Sequence, residues 1–100
     1  MNIQITESDH KHIAMISGRI DTLTANELED TVLPLISDTH PSIELHCKDV
    51  DYISSSGLRV FILADKKSQQ LNGTVTISGL SDFLKNIFDV SGLTHLFTFV

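Results

Sequence analysis

The feature that most constrains this chain is its alternation of two apolar periods, strand-like and helix-like, from end to end. Asn2-Ile3-Gln4-Ile5-Thr6 alternates with period two and predicts a strand. Glu7-Ser8-Asp9-His10-Lys11 is polar and predicts a hairpin turn, and Ile13-Ala14-Met15-Ile16 is apolar throughout, the pattern of a strand covered on both faces. Ile43, Leu45 and Cys47 alternate with Glu44 and His46 as a third strand, and Thr74-Val75-Thr76-Ile77 forms a fourth. Leu96-Phe97-Thr98-Phe99-Val100 closes the chain as a last strand, its apolar end expected to tuck against the sheet. Three helical segments separate these strands. After the hairpin the order is therefore strand, helix, strand, helix, strand, helix, strand. Right-handed crossovers turn that order into an α/β sandwich with a mixed, mostly parallel sheet and helices packed against it, one domain over residues 1–100.

The helices carry their own start and stop signals. Thr24-Ala25-Asn26-Glu27 fits a capping box, with Leu23 and Leu28 at the positions of a hydrophobic staple. Leu28, Val32, Leu35 and Ile36 then follow as one buried stripe, while Pro34 predicts a kink or an early end. The second helix begins at the serines 54–56, runs through Leu58 towards Lys67 and stops at Asn72-Gly73. Ser81-Asp82 opens the third, with Phe83, Leu84, Ile87 and Phe88 on one side and Gly92 at its end.

Composition excludes several function classes. With 41% apolar and 20% charged residues, the chain has the balance of a folded domain rather than of a disordered one. No apolar run approaches the roughly 20 residues of a membrane span, and Met1-Asn2-Ile3 shows no basic leader, so a cytoplasmic protein without membrane insertion is expected. Cys47 is alone, which leaves no internal disulfide and no cysteine-based zinc site. The net charge of −6 is carried entirely by residues 1–50. Phosphate backbones need a basic face, so nucleic acid is not the expected partner, and a protein is.

One segment, Asp49-Val50-Asp51-Tyr52-Ile53-Ser54-Ser55-Ser56-Gly57-Leu58, joins a strand to a helix, where ligands and chemistry collect in open α/β sheets. Ser54, Ser55 and Ser56 all suit an N-cap, and a serine run before Gly-Leu can be a cap and nothing more. Hydroxyls there also lie beside free N–H groups at the positive end of a helix dipole, where a phosphate is electrostatically tolerated.

Tyr52-Ile53-Ser54-Ser55-Ser56-Gly57-Leu58 resembles the signature of STAS domains, particularly the anti-sigma factor antagonists, which read two hydrophobic residues, then Asp-Ser-Ser/Thr-Gly-Leu. Gly18-Arg19-Ile20-Asp21 is similar to the family's Gly-x-Leu/Ile-Asp turn, and Phe88-Asp89-Val90-Ser91-Gly92-Leu93 to its Phe-x-x-Ser/Thr-Gly-Leu ending of the third helix. The resemblance implies partner switching. An anti-sigma factor of histidine-kinase-like ATPase fold, itself a serine kinase, phosphorylates the serine two residues before the glycine, here Ser55. The unphosphorylated form binds that factor, and a PP2C-type phosphatase restores it. Ser56 is the second choice of acceptor and Ser54 the third. The partner-binding set implied is Asp21, Ser54, Ser55, Ser56, Gly57, Leu58 and Arg59. No cofactor or metal is implied, and the domain alone is expected to be monomeric. Ser54 departs from the family, which carries Asp there.

Other readings stand beside this one. A STAS domain can serve without phosphorylation as the adaptor subunit of a lipid-transport ABC complex, its serines then being a cap and contact surface. A serine hydrolase lacks support, because Ile53-Ser54-Ser55-Ser56-Gly57 is not a Gly-x-Ser-x-Gly elbow and no histidine is placed as its base. Asp21 is either a contact at the switch surface or simple turn chemistry. His10, His12, His40, His46 and His95 read as structural or incidental, since His10-x-His12 lacks ligand spacing. Val60-Phe61-Ile62-Leu63 is expected partly to face the sheet and partly to offer an apolar patch beside Ser55.

Overall fold

The structure is a computed structural model and describes residues 1–100. In chain order it contains strands β1 (Asn2–Ser8) and β2 (Lys11–Ile20), helix α1 (Ala25–Val32), strand β3 (Ser42–Ile53), helix α2 (Ser55–Gln70), strand β4 (Val75–Ser78), helix α3 (Asp82–Val90) and strand β5 (Thr98–Phe99). The sheet runs β1-β2-β3-β4-β5, with β1 antiparallel to β2 and all other pairs parallel. This is the α/β sandwich that the alternation predicts. Each parallel strand is laid beside its predecessor in the same sideways direction, so right-handed crossovers carry all three helices to one face.

Burial follows that face. Across the register, Ala14, Leu45 and Ile77 form one row, and all three are buried. The next row, Ile13, Glu44 and Thr76, points the other way and is only half-buried. Met15 on that same outer face is 39% exposed, which corrects the expectation that β2 is covered on both sides. The apolar run Ile13–Ile16 misled because β2 is interior to the sheet edge to edge, while nothing packs on its outer face.

The strand β3 extends well beyond the alternating residues 43–47. Met15 pairs with His46 but Ser17 with Asp49, and Gly18 pairs with Val50 but Arg19 with Tyr52. Each step inserts an extra residue into β3, two bulges that shift its buried positions from Cys47 to Val50 and then to Ile53. A strict period of two cannot find such a strand, and bulges re-aim whatever follows, here the serine cluster.

The helix boundaries carry further corrections. Thr24 makes no side-chain cap, and the capping box does not form; its hydroxyl instead donates to the Arg19 carbonyl at 2.9 Å. Leu23 is 89% exposed, so there is no staple. Pro34 ends α1 as its rigid ring requires, the chain tightening into a 3-10 turn at Leu33–Leu35. Helix α2 stops where Asn72 takes φ +62 and the Gly73 N–H returns to the Ser68 carbonyl. The last strand is shorter than expected, because Thr94–Leu96 form a 3-10 turn. Val100 donates to and accepts from the backbone of the β4 end, but its side chain is 77% exposed rather than tucked in. Phe61, Phe88 and Phe97 meet edge to face at centroid distances of 5.5–6.4 Å and close the core beneath α2 and α3.

Candidate functional site

Two turns meet at the carboxyl ends of β2 and β3. Ile20 and Ile53 are register partners on the last rung of that pair, and the Ser54 N–H donates to the Ile20 carbonyl at 2.8 Å. This bond ties the turn that begins with Asp21 to the turn that holds the serines. Asp21 and the serine cluster therefore lie on the same edge of the sheet.

The three serines have different fates. Ser54, in extended geometry, is the N-cap of α2, and its Oγ accepts from the Gly57 N–H at 3.1 Å. Asp is an equally good N-cap, so Ser54, where the resemblance implies Asp, serves the same capping function without a negative charge beside Ser55. Ser55 is the first residue of α2 and is exposed, while Ser56 is half-buried. Of the three hydroxyls, the central one is open to a partner and is not committed to the cap.

Gly57 is buried because α2 approaches the strand ends closely. A Cβ there falls 2.6 Å from Ile20 Cγ2 and 3.1 Å from Ile53 Cγ2. Only a residue without a side chain lets the helix start at this depth, and that depth sets where Ser55 emerges. Leu58 is half-buried against the core. Arg59 is exposed and pairs with Glu29 of α1 at 3.3 Å.

Asp21 spends its carboxylate on its own turn. Oδ1 accepts from the N–H groups of Leu23 and Thr24, both at 3.0 Å. The Thr24 N–H bond, ahead of the Leu23 bond and the Arg19 charge, holds the Asp21 carboxyl below its ordinary 3.8, against a smaller opposing effect of desolvation. Turn chemistry is therefore the role the geometry documents: the Asp21 carboxylate closes the turn that precedes α1, and the helix itself starts without a side-chain cap.

Three neighbours escaped the sequence reading. Arg19 lies over the Tyr52 ring at 4.1 Å and reaches Asp21 Oδ2 at 3.4 Å, fixing the two turns side by side. Leu23 presents a nearly free apolar side chain on the Asp21 turn. The run 60–63 is divided between core and surface: Val60 and Phe61 are buried, and Ile62 and Leu63 half-buried. A leucine beside a capping motif reads as a staple, and only the tertiary fold reveals that nothing covers it.

Comparison with known proteins accords with this geometry. Residues 2–100 match the model of the STAS domain family. The anti-sigma-B factor antagonist of Staphylococcus aureus (strain NCTC 8325 / PS 47) is 30% identical over 96 residues, covering 96% of this chain and 89% of the relative. The fold also superposes on the anti-sigma factor antagonist SpoIIAA in its unphosphorylated form, with TM-score 0.80, 11% identity and coverage of 99% of this chain and 87% of the other. The phosphorylated form of SpoIIAA, the Bacillus cell fate determinant, gives TM-score 0.78 and 14% identity over 99% of this chain and 91% of that one. Proteins of this kind are regulators rather than enzymes. With a matching family model over nearly its whole length and a full-length antagonist relative, the chain belongs to the STAS domain family, among the anti-sigma factor antagonists.

Proposed function

We propose that this domain is a phosphorylation-switched antagonist. In its unphosphorylated form it binds an anti-sigma factor that is also a serine kinase of histidine-kinase-like ATPase fold, in the cytoplasm. Phosphorylation of Ser55 releases it, and a PP2C-type phosphatase restores it. The observation that carries this reading is the division of labour among the serines: Ser54 is consumed by the cap, Ser56 is half-buried, and Ser55 is exposed at the first position of α2.

The electrostatics support a block at the surface rather than a refolding. A phosphoryl group adds roughly −1.5 to −2 charge, and at the start of α2 it meets the positive end of the helix dipole. The domain's own fold thus tolerates it. Within a close interface the same group must shed its hydration, and a loss of only about 1.4 kcal/mol already weakens binding tenfold. That SpoIIAA has this fold in both its forms is in line with such a block. Leu23, Ser55, Ser56, Leu58 and Arg59, with the Asp21 turn behind them, form the docking surface in this reading.

Incubation with the cognate kinase and ATP, followed by mapping of the modified residue by mass spectrometry, tests the assignment. A single phosphate on Ser55, absent from Ser55→Ala, is the expected outcome. Modification that persists in Ser55→Ala overturns the site. Capture of a transporter ATPase in place of a kinase-like ATPase overturns the function in favour of an adaptor subunit.

A further inference from the structure

At the other end of the sheet, three side chains converge that the switch does not use. Glu7 near the end of β1 and His12 near the start of β2 are directly paired across the hairpin. His40 approaches from the connection between α1 and β3, a loop closed by reciprocal backbone bonds between Ser37 and His40, both 3.0 Å. The His12 and His40 rings stack at 4.4 Å. Glu7 Oε2 lies 3.1 Å from His40 Nε2 and 3.6 Å from His12 Nε2, and one donor atom from each residue falls within 4.8 Å of the others.

The protons can be counted. The His12 Nδ1 faces the Leu35 carbonyl at 3.0 Å, and a carbonyl only accepts, so Nδ1 carries the hydrogen. In the neutral ring, Nε2 then presents a lone pair to the Glu7 carboxylate, which has only lone pairs to offer in return. The His40 Nδ1 meets the Thr39 hydroxyl at 2.9 Å, a partner able to give or take the hydrogen, and its Nε2 turns to the same carboxylate oxygen. A cation at the meeting point satisfies all three groups. Both outward-facing Nδ1 contacts are the kind of second contact that fixes the ring of a metal-bound histidine.

We propose that Glu7, His12 and His40 form a binding site for a divalent transition-metal ion, Zn(II) by its donor set of two imidazoles and one carboxylate. Ligands at about 2.0–2.2 Å around a tetrahedral zinc are spaced about 3.3–3.5 Å apart, and the two distances to Glu7 bracket that value. His12 and His40 are about one-fifth exposed and Glu7 more than half, so water completes the coordination. The ion would clasp the edge hairpin to the α1–β3 connection. From His12 to Ile20 along β2 is roughly 25 Å at about 3.3 Å per residue, so the site is independent of Ser55. Local spacing could not reveal it: the partner of His12 is His40, not His10.

Calorimetric titration of metal-free protein with Zn(II), and with Co(II) as an absorbing probe, tests the site. One ion per chain is expected, with visible Co(II) bands of tetrahedral character and a raised melting temperature. Zinc at 100 times its Kd should favour the folded state about 100-fold. His40→Gln and Glu7→Gln, changes on a loop and on an exposed strand end, should weaken binding at least tenfold while circular dichroism stays unchanged, and His95→Gln should bind as the parent does. Absence of saturable binding, or full affinity in folded His40→Gln, overturns the proposal and leaves the Ser55 switch untouched.

Discussion

Replacing Gly57 by Ala sets two effects of opposite sign against each other, and the structure decides between them. The added Cβ lies 2.6 Å from Ile20 Cγ2, 3.1 Å from Ile53 Cγ2 and 3.4 Å from the Ile20 carbonyl oxygen. Carbon atoms attract best at about 3.5–4.0 Å, so the first contact is short by about 1 Å. Ile20 is 0% exposed and Ile53 3%, and both are stiff at χ1, so neither can swing aside. Overpacking of this kind costs about 1–3 kcal/mol. Alanine returns at most about 1 kcal/mol of helix propensity, less in a first turn. The net expectation is a loss of about 1–2 kcal/mol, or a melting temperature lower by about 5–15 °C in a domain of this size. Thermal and urea unfolding monitored by circular dichroism measure it, with an unchanged urea slope. Ile20→Ala removes the clashing methyl at its own cost of about 2–5 kcal/mol, and the double variant should fall short of additivity by about 1 kcal/mol or more. An unchanged or raised melting temperature in Gly57→Ala, or a strictly additive pair, refutes the close approach of α2 to the strand ends.

Other consequences follow from single contacts. Ser54→Ala should lose about 1 kcal/mol, because the buried Gly57 N–H is orphaned, whereas Ser54→Asp should match or exceed the parent in urea unfolding. Glu44 accepts from Lys11 at 2.5 Å and from His46 at 2.7 Å, and the Lys11 bond above all holds its carboxyl below the ordinary 4.5. Its folded pKa thus lies under its unfolded one, so its stabilisation is complete above about pH 4.5 and fades as pH falls through the lowered value. Glu44→Gln should flatten that acid limb in stability measured against pH. Cys47 is wholly buried and its thiol is pushed up to about 12, so a thiol reagent should label it at neutral pH only when the chain unfolds, at a rate that rises with urea.

The element order, the helix stop at Asn72-Gly73 and the effect of Pro34 were legible because each rests on local chemistry: period, positive φ, a missing N–H. The serine edge was legible for a different reason, as a motif at a strand–helix junction. What escaped depended on contacts across the chain. The capping box at Thr24 fails because Arg19 and Asp21 offer its hydroxyl and turn better partners. Met15 is exposed because all crossovers fall on one face, a property of topology that no window of residues displays. Leu23 reads as buried from its spacing and is free in the fold, and Glu7, His12 and His40 meet only once β3 is laid beside β2.

The account turns on Ser55, and calorimetric titration of the cognate kinase-type anti-sigma factor with the unmodified and the Ser55-phosphorylated domain measures it most directly. Binding at least tenfold weaker for the phosphorylated form, with its circular dichroism and melting temperature close to those of the unmodified form, is the predicted result. Equal affinity of the two forms, or weaker binding accompanied by loss of the fold, contradicts it.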